Sequence, residues 1–417
     1  MFRSYLTVAW RSLLKRPAFS LINILGLASG LAICMLIVTL IRDQNSYDRF
    51  HPLGDRIYRV ISDRTSSSPS SFATTPPVLY EELAGAYPAI EQAVRIRGGL
   101  GVDAAYGEET LPVRGLWTEP AFFELFHFPL AYGDAALALE APYSVVVTRE
   151  LAERLGTEPA ALVGQTIELG DWGAFTVTGV LDELPGKTHF QFELLASYAT
   201  VPGLERAEQL FAASGRWDDT NNTYLYLLLQ KGADARDLAA AFPAISDARY
   251  ADFENYRLDF RLQALSEITP SEMLENDLLF TVPKGALYFL SLLALIVMLT
   301  ACFNYTNLSV AKALTRVREI GVRKVTGARR SQIFAQFLTE SVLVALFSAA
   351  AMVAVVAVRR LRESRNDLRR AQALARVGSW RFDLNTGAVI ASDETRRLYG
   401  LENGEISIQE VQTVPLP

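Results

Sequence analysis

A Gly-Lys-Thr triplet, three histidines and two cysteines are the residues of this 417-residue chain best suited to chemistry. Gly186-Lys187-Thr188 ends as a phosphate-binding loop ends, where glycine amides cradle phosphate, the lysine reaches it and the hydroxyl holds Mg. The full G-x-x-x-x-G-K-[ST] spacing is missing, because the nearest upstream glycine, Gly179, lies two residues too far away. The segment reads instead as a turn after Pro185. His51 stands between Phe50 and Pro52, His127 between Phe126 and Phe128, and His189 before Phe190. No spacing groups them as metal ligands or sets one beside a nucleophile, so core or loop positions are expected. Cys34 and Cys302 both lie in apolar runs. That argues against a disulfide and leaves no material for a Cys/His metal site. The expectation is a chain that is not an enzyme, with no catalytic, cofactor-binding or metal-binding residue of its own.

A different kind of chemistry is offered by REIGVRKVTGARRSQIF, residues 318–334. Five of its first thirteen residues are Arg or Lys, with long apolar runs on either side. A patch of this kind can anchor a loop on the cytoplasmic side of a membrane, or it can dock a second protein. On a helical wheel Val317, Ile320, Gly321, Val325 and Ala328 share one side. Arg316, Arg318, Glu319, Arg323, Arg329 and Arg330 share the other, and Lys324 breaks the rule. An apolar stripe to bind and charges to orient it suit a docking helix. Gly327 is placed to end that helix or to let backbones approach closely.

The elements around this segment are membrane-like. Half of the residues are hydrophobic. Residues 17–41 carry no charge and span about 37 Å as a helix, enough for a hydrocarbon core of about 30 Å. Residues 285–311 form a second such run. A third, residues 335–358, is interrupted by Glu340, which is costly inside a bilayer and is read as pairing with the basic segment or sitting at the interface. The first run is too long for a signal peptide, and although Leu31-Ala32-Ile33-Cys34 faintly resembles a lipoprotein box, retention is expected. Residues 1–16 read as an amphipathic helix at the cytoplasmic interface: Phe2, Tyr5, Leu6, Ala9, Trp10 and Leu13 face one way, and Ser4, Thr7, Arg11 and Lys15 the other.

Orientation follows from the basic residues near the span ends. Arg3, Arg11, Lys15 and Arg16 precede the first run, and Lys312, Arg316, Arg318, Arg323, Lys324, Arg329 and Arg330 follow the second. Both flanks are expected in the cytoplasm, which puts residues 43–284 outside. That segment holds 36 Asp and Glu against 18 Lys and Arg. So acidic a surface would repel phosphates and excludes nucleic acid as its ligand. It is long enough to bury its own core, and its periodicities are mixed. Ser144–Thr148, Phe175–Leu181, Thr223–Leu229 and the alternating run from Tyr256 to Leu262 read as strands. Thr148–Leu155, with Thr148 as N-cap, and Asp234–Phe242 read as helices. Thr65–Pro77, rich in Ser, Thr and Pro, reads as a loop or linker. The expected class is a membrane protein with helical spans and an external α+β domain.

Five stretches occur in a telling order: SYDRFHPLGDRIYRV (46–60), TEPAFFELFHFPLAYGD (118–134), SVVVTRELAERLG (144–156), FTVTGVLDELPGKTHFQFELLAS (175–197) and REIGVRKVTGARRSQIFAQFLTES (318–341). Together they resemble the MacB/FtsX-type permease family of ABC transporters, in the variant with a large periplasmic core domain, over about residues 1–348. The resemblance implies an inner-membrane permease subunit with a cytoplasmic N-terminus, and a periplasmic domain moved by ATP hydrolysis for export or mechanical signalling. It implies that residues 312–334 are a cytoplasmic coupling segment. Arg316, Val317, Glu319, Ile320, Gly321, Arg323, Lys324, Gly327 and Ala328 would seat on a partner ABC ATPase that binds the ATP and Mg. A homodimer or paired permease, a periplasmic adaptor and the lipid bilayer complete the implied partners.

Beyond Val358 the pattern changes. Residues 359–371 read as a charged helical linker, with Leu361, Leu368 and Ala375 seven apart. In residues 372–417, Trp380, Phe382 and Leu384 alternate with Arg381 and Asp383. Asn385-Thr386-Gly387 forms a hairpin turn, Ala388–Ala391 returns, and Ser392 or Asp393 caps a short helix to Tyr399. This resembles the start of a PAS sensor domain and supplies a second functional reading, a membrane receptor with a PAS signalling tail. Six arginines between Arg359 and Arg370 favour the cytoplasm, whereas a third crossing would put them outside. Either the third segment does not cross fully or two incomplete modules meet near residues 348–358. The second is the expectation taken here.

Overall fold

The computed structural model describes residues 17–65, 69–253, 256–280, 282–314, 317–327, 329–375, 380–382, 388–391 and 405–407, with Thr7, Trp10, Arg11, Leu14 and Thr395 besides. The chain divides into two units, Met1–Leu36 with Leu292–Pro417, and Ile37–Ser291.

In the second unit the strands are β1 (Ile57–Thr65), β2 (Ser70–Phe72), β3 (Ile90–Tyr106), β4 (Glu109–Thr118), β5 (Leu130–Gly133), β6 (Ser144–Thr148), β7 (Thr166–Leu169), β8 (Ala174–Leu181), β9 (Leu194–Ser197), β10 (Thr223–Leu229) and β11 (Arg257–Ala264). They form one mixed sheet in the order β11-β1-β10-β3-β4-β9-β6-β8-β5, with β2 added to β1 and β7 bridging β3 and β8. The pairs β4·β9 and β6·β8 are parallel and the rest antiparallel. The long β3 serves two sets of partners, and its register shifts between Arg97 and Leu100. Gly98 and Gly99 fill that bulge, and Gly99 takes φ +81, a conformation glycine adopts freely.

The helices of both units are α1 (Pro17–Gln44), α2 (Leu79–Leu83), α3 (Ala121–Phe126), α4 (Arg149–Arg154), α5 (Pro159–Leu162), α6 (Val201–Arg206), α7 (Ala235–Ala239), α8 (Phe242–Arg249), α9 (Lys284–Leu314), α10 (Val317–Val325) and α11 (Arg330–Ala375).

The sheet is covered on both faces, which explains strands without alternation. All seven residues of β10 are buried. Tyr224, Tyr226 and Leu228 enter a core with the phenylalanines of α3 and with Phe128 and Phe190. Leu225, Leu227 and Leu229 point the other way, into a core with Leu238, Phe242 and Ile245. In β6, Val146 joins the first core, whereas Val145 and Val147 join a third with Leu151, Leu155 and Trp117. Thr148 caps α4, its hydroxyl accepting from the Leu151 amide at 3.2 Å.

Two expectations need correction. Asp234–Phe242 is not one helix: Asp234 caps α7, which ends at Ala239, and α8 starts at Phe242. Pro243, in the first turn of α8, has no amide to continue the earlier helix. Nor is Thr65–Pro77 only a linker. It contains β2, and Ala73, Thr74 and Thr75 are fully buried. The Ala73 amide donates to the Glu275 carbonyl at 3.0 Å and the Thr75 amide to the Thr223 carbonyl at 2.7 Å. Polar composition concealed a segment stitched into the core by its backbone.

In the first unit, three helical segments are long and apolar enough to cross a membrane: Ser20–Gln44, Lys284–Ala311 and Arg330–Ala354. The first runs on into the second unit and the second starts there. Helix α11 does not stop at Val358 but continues through the arginine-rich stretch to Ala375. Its 46 residues make a rod of about 69 Å at about 1.5 Å per residue. Thr7, Trp10, Arg11 and Leu14 are helical, and the Trp10 ring lies 5.5 Å from that of Phe347. Near the C-terminus β12 (Trp380–Phe382), β13 (Ala388–Ala391) and β14 (Glu405–Ser407) form an antiparallel sheet in that order. The hairpin turn at 385–387 and the short helix apart from Thr395 lie outside the described residues.

Helices α1 and α9 approach closely because α1 presents glycine. A Cβ on Gly30 would stand 3.2 Å from the Ala301 Cβ, and one on Gly26 3.6 Å from the Asn304 amide nitrogen. Small residues four apart let membrane helices pack backbone to backbone. Gly30→Leu is therefore expected to lower the stability of the detergent-solubilised chain by about 1–3 kcal/mol. A melting temperature equal to the parent's would contradict this close approach.

Candidate functional site

Helix α10 is a short amphipathic element between two membrane-length helices. Val317, Val322 and Val325 are exposed, Val325 at 89%. Ile320 is half-buried, and Gly321 and Lys324 are exposed. A Cβ on Gly321 would meet nothing within 4 Å, so that face is open. The Thr326 amide donates to the Val322 carbonyl at 3.0 Å and the Gly327 amide to the Lys324 carbonyl at 3.2 Å. Gly327 takes φ +95, which ends α10 in the left-handed conformation that favours glycine. The Arg329 amide then donates to the Gln332 Oε1 at 2.9 Å, opening α11. Arg316 and Ala328 lie outside the described residues, as do the side chains of Glu319 and Arg323. The exposure of Val322 adds an apolar residue that the helical wheel left off the stripe.

The Gly186–Thr188 triplet does something else. Lys187 forms an ion pair with Asp43, just before the end of α1. The Thr188 hydroxyl donates to Asp48 Oδ1 at 2.8 Å. A Cβ on Gly186 would lie 3.0 Å from the Phe50 ring. The loop grips the chain where it leaves α1, so its lysine and hydroxyl are already engaged within the protein.

Two of the three histidines meet at the same carboxylate. His189 Nδ1 donates to Asp48 Oδ2 at 2.8 Å, and its Nε2 lies 2.7 Å from the Tyr226 hydroxyl. His51 Nδ1 donates to the Phe126 carbonyl at 2.7 Å, and its Nε2 faces Asp48 Oδ1 at 3.3 Å. Each nitrogen of His51 thus faces an oxygen. All three side chains are buried. Burial opposes ionisation of Asp48, but the neighbouring His189 and hydrogen bonds from His189, His51 and Thr188 outweigh it and hold the carboxyl well below its usual range. His127 is apart from this group, exposed and in a left-handed conformation after α3.

The polar chain continues through the sheet. Tyr226, in β10, lies against the fully buried guanidinium of Arg59. Arg59 Nη1 donates to Asp277 Oδ1 at 2.7 Å, and Nη2 to Gln263 Oε1 at 2.7 Å. Gln263 in turn donates to the Ser271 hydroxyl at 3.0 Å. Among the described residues no group of three or more His, Cys, Asp or Glu is arranged to hold a metal.

These features define a class: a protein with helices fit to cross a membrane, an α+β domain tied to the ends of two of them, and a short exposed helix between two of the spans. Residues 20–245 match the MacB-like periplasmic core domain, and residues 291–359 the FtsX-like permease C-terminal domain. The chain belongs to the MacB-like periplasmic core domain family, and is an ABC-transporter-type permease component. It is 24% identical over 367 residues to the macrolide export ATP-binding/permease protein MacB 1 of Yersinia pestis, covering 84% of this chain and 51% of that protein. It is 23% identical over 379 residues to the MacB of Escherichia coli K12, again covering 84% and 51%. The chain therefore spans about half the length of the curated relatives it matches. Among solved structures, a domain of a permease protein from Porphyromonas gingivalis aligns at 22% identity and TM-score 0.43, covering 52% of this chain and 92% of that one. The periplasmic region of MacB from Actinobacillus actinomycetemcomitans aligns at 10% identity and TM-score 0.35, covering 51% and 89%.

Proposed function

We propose that this chain is the permease subunit of an inner-membrane ABC transporter. It couples ATP hydrolysis by a partner ATPase, which holds the ATP and Mg, to movement of its periplasmic domain. The observation that carries this reading is α10, a short helix with an open apolar face and basic neighbours, held between two membrane-length helices. Arg316, Val317, Glu319, Ile320, Gly321, Arg323, Lys324, Gly327 and Ala328 form the docking surface for the ATPase. The basic residues around α10 and before α1 set the N-terminus and α10 in the cytoplasm, and the acidic segment after α1 outside. A second permease copy completes the pathway through the bilayer, and the output is export or a mechanical signal to the periplasm, with room for an adaptor.

Charge reversal tests the docking. Arg323→Glu with Lys324→Glu is expected to lower retention of the cognate ATPase by about tenfold or more, as replacing attraction by repulsion at a close contact does. The assay is a pull-down from the native host, with protease accessibility of the outer domain confirming that orientation has not inverted. Undiminished retention would leave α10 as a topology anchor only.

A second reading keeps the PAS resemblance of the C-terminal residues, where β12 and β13 pair with Trp380 opposite Ala391, and has the chain report events in the α+β domain to the cytoplasm. A kinase rather than an ATPase in the pull-down would select it.

A further inference from the structure

The phosphate-loop look-alike and the two buried histidines are absorbed by neither docking nor transport, yet they converge where α1 ends. The last turns of α1, Ile37–Gln44, belong to the same unit as the sheet. Four residues after α1 the backbone turns through Asp48 at φ +55, a conformation few side chains adopt. Its amide donates to the Lys187 carbonyl at 2.8 Å. Its carboxylate collects the Thr188 hydroxyl, the ring of His189, the ring of His51 and, at 3.3 Å, the His189 amide. Lys187 adds its ion pair to Asp43 and lies 5.5 Å from the centre of the Tyr47 ring. The start of α9 is tied in as well: the Val282 amide donates to Gln44 Oε1 at 3.3 Å, and the Lys284 amide to the Ser271 carbonyl at 2.9 Å.

We infer that Asp48 and the Lys187–His189 loop form a rigid joint that makes the outer end of α1 and the β-sheet move as one body. Asp48, Thr188 and His189 are positioning residues of that joint. A flexible link would absorb a displacement of α1 in φ and ψ rotations of residues 45–54. A carboxylate held by three side chains and a backbone amide removes that freedom, because charge-assisted hydrogen bonds in a buried site are strong and directional. What the joint transmits rests on the permease reading above; that it is rigid does not.

The test is hydrogen exchange on the full chain in lipid nanodiscs, read over residues 44–50 and 186–190. Asp48→Asn is expected to speed exchange in both segments by about tenfold or more, and by a clearly larger factor than in β6 and β10, which lose only what the lowered global stability takes. His189→Ala should do the same. His189→Asn, whose amide nitrogen can replace Nδ1 as donor, should restore the slow exchange. Unchanged exchange at 44–50 in Asp48→Asn would overturn the joint, as would equal loosening of β10, which would make Asp48 an ordinary core group. Equal loosening by His189→Asn and His189→Ala would also overturn it, since ring packing alone would then be at work. No ATPase enters this measurement, so the joint and the docking reading fail separately.

Discussion

Asp277→Ala is expected to destabilise the α+β domain by about 3–5 kcal/mol, the range for removing one partner of a buried ion pair. Arg59 has no exposed side-chain surface, and Asp277 is its counter-ion at 2.7 Å. Burial works against the guanidinium charge, and the Asp277 carboxylate sustains it, with the neutral Tyr226 hydroxyl adding a hydrogen bond. Burial holds the Tyr226 hydroxyl far above its ordinary pKa, so it cannot ionise to replace a lost carboxylate. Gln263 offers a neutral oxygen only, so Asp277→Ala leaves a buried cation facing dipoles. The cost belongs to the orphaned charge and not to the pair, because two charges taken out of water lose nearly as much hydration as their attraction returns. Arg59→Met combined with Asp277→Ala is accordingly expected to be more stable than Asp277→Ala alone. Denaturant titration of the detergent-solubilised chain, followed by tryptophan fluorescence, reads both. A loss below about 1 kcal/mol for the single variant, the scale of an exposed pair, would mean that solvent reaches Arg59.

What could be read in advance was local. The Thr148 cap and the strands Ser144–Thr148 and Thr223–Leu229 follow from residues within four positions of one another. The helix expected over Asp234–Phe242 ran up to Pro243 without crossing it, and the break falls earlier, at Ala240–Ala241, where no residue type marks it. The α+β class followed from mixed periodicity, and the family from five quoted stretches. What those stretches are for was not legible. SYDRFHPLGDRIYRV carries Asp48, His51 and Arg59, and the GKTHF segment carries Thr188 and His189. They meet only because a sheet of largely non-local pairings brings together residues 141 positions apart. A histidine beside phenylalanine has the same local pattern whether it packs or pairs, so spacing cannot group it with a distant carboxylate. The burial of Ala73–Thr75 was hidden for a related reason: what fixes that segment is main-chain hydrogen bonding, which composition does not record. On α10 the residue types were visible. Their open surroundings are a property of the fold.

Acid should undo the α+β domain chiefly through Asp48. Its carboxyl in the folded chain lies well below the ordinary value of 3.8. A depressed carboxyl contributes stability that is fully present above the unfolded value, and loses it as pH falls from there through the folded one. The window therefore opens below pH 3.8 and extends downward. Protonation of Asp48 removes the negative charge that Thr188, His189 and His51 all address, so the loss is concentrated in one group. Glu205 acts in the same sense, its carboxyl lowered against the effect of burial by Ser214, the Ala213 amide and Arg97. Glu119 acts in the opposite sense: burial raises its carboxyl despite Arg95, so folding is favoured by its protonation and disfavoured as pH rises through its folded value. The expected result for the full chain in detergent is stability that is held, or rises slightly as Glu119 takes its proton, down to about pH 4, close to the unfolded carboxylate range, and a steep fall below it. Asp48→Asn should start less stable at neutral pH and fall with a visibly shallower slope, because the group that titrates is gone. Parallel slopes for the two proteins would assign the acid sensitivity to the surface carboxylates. They would show that Asp48 is not the anion that His189, His51 and Thr188 hold in place.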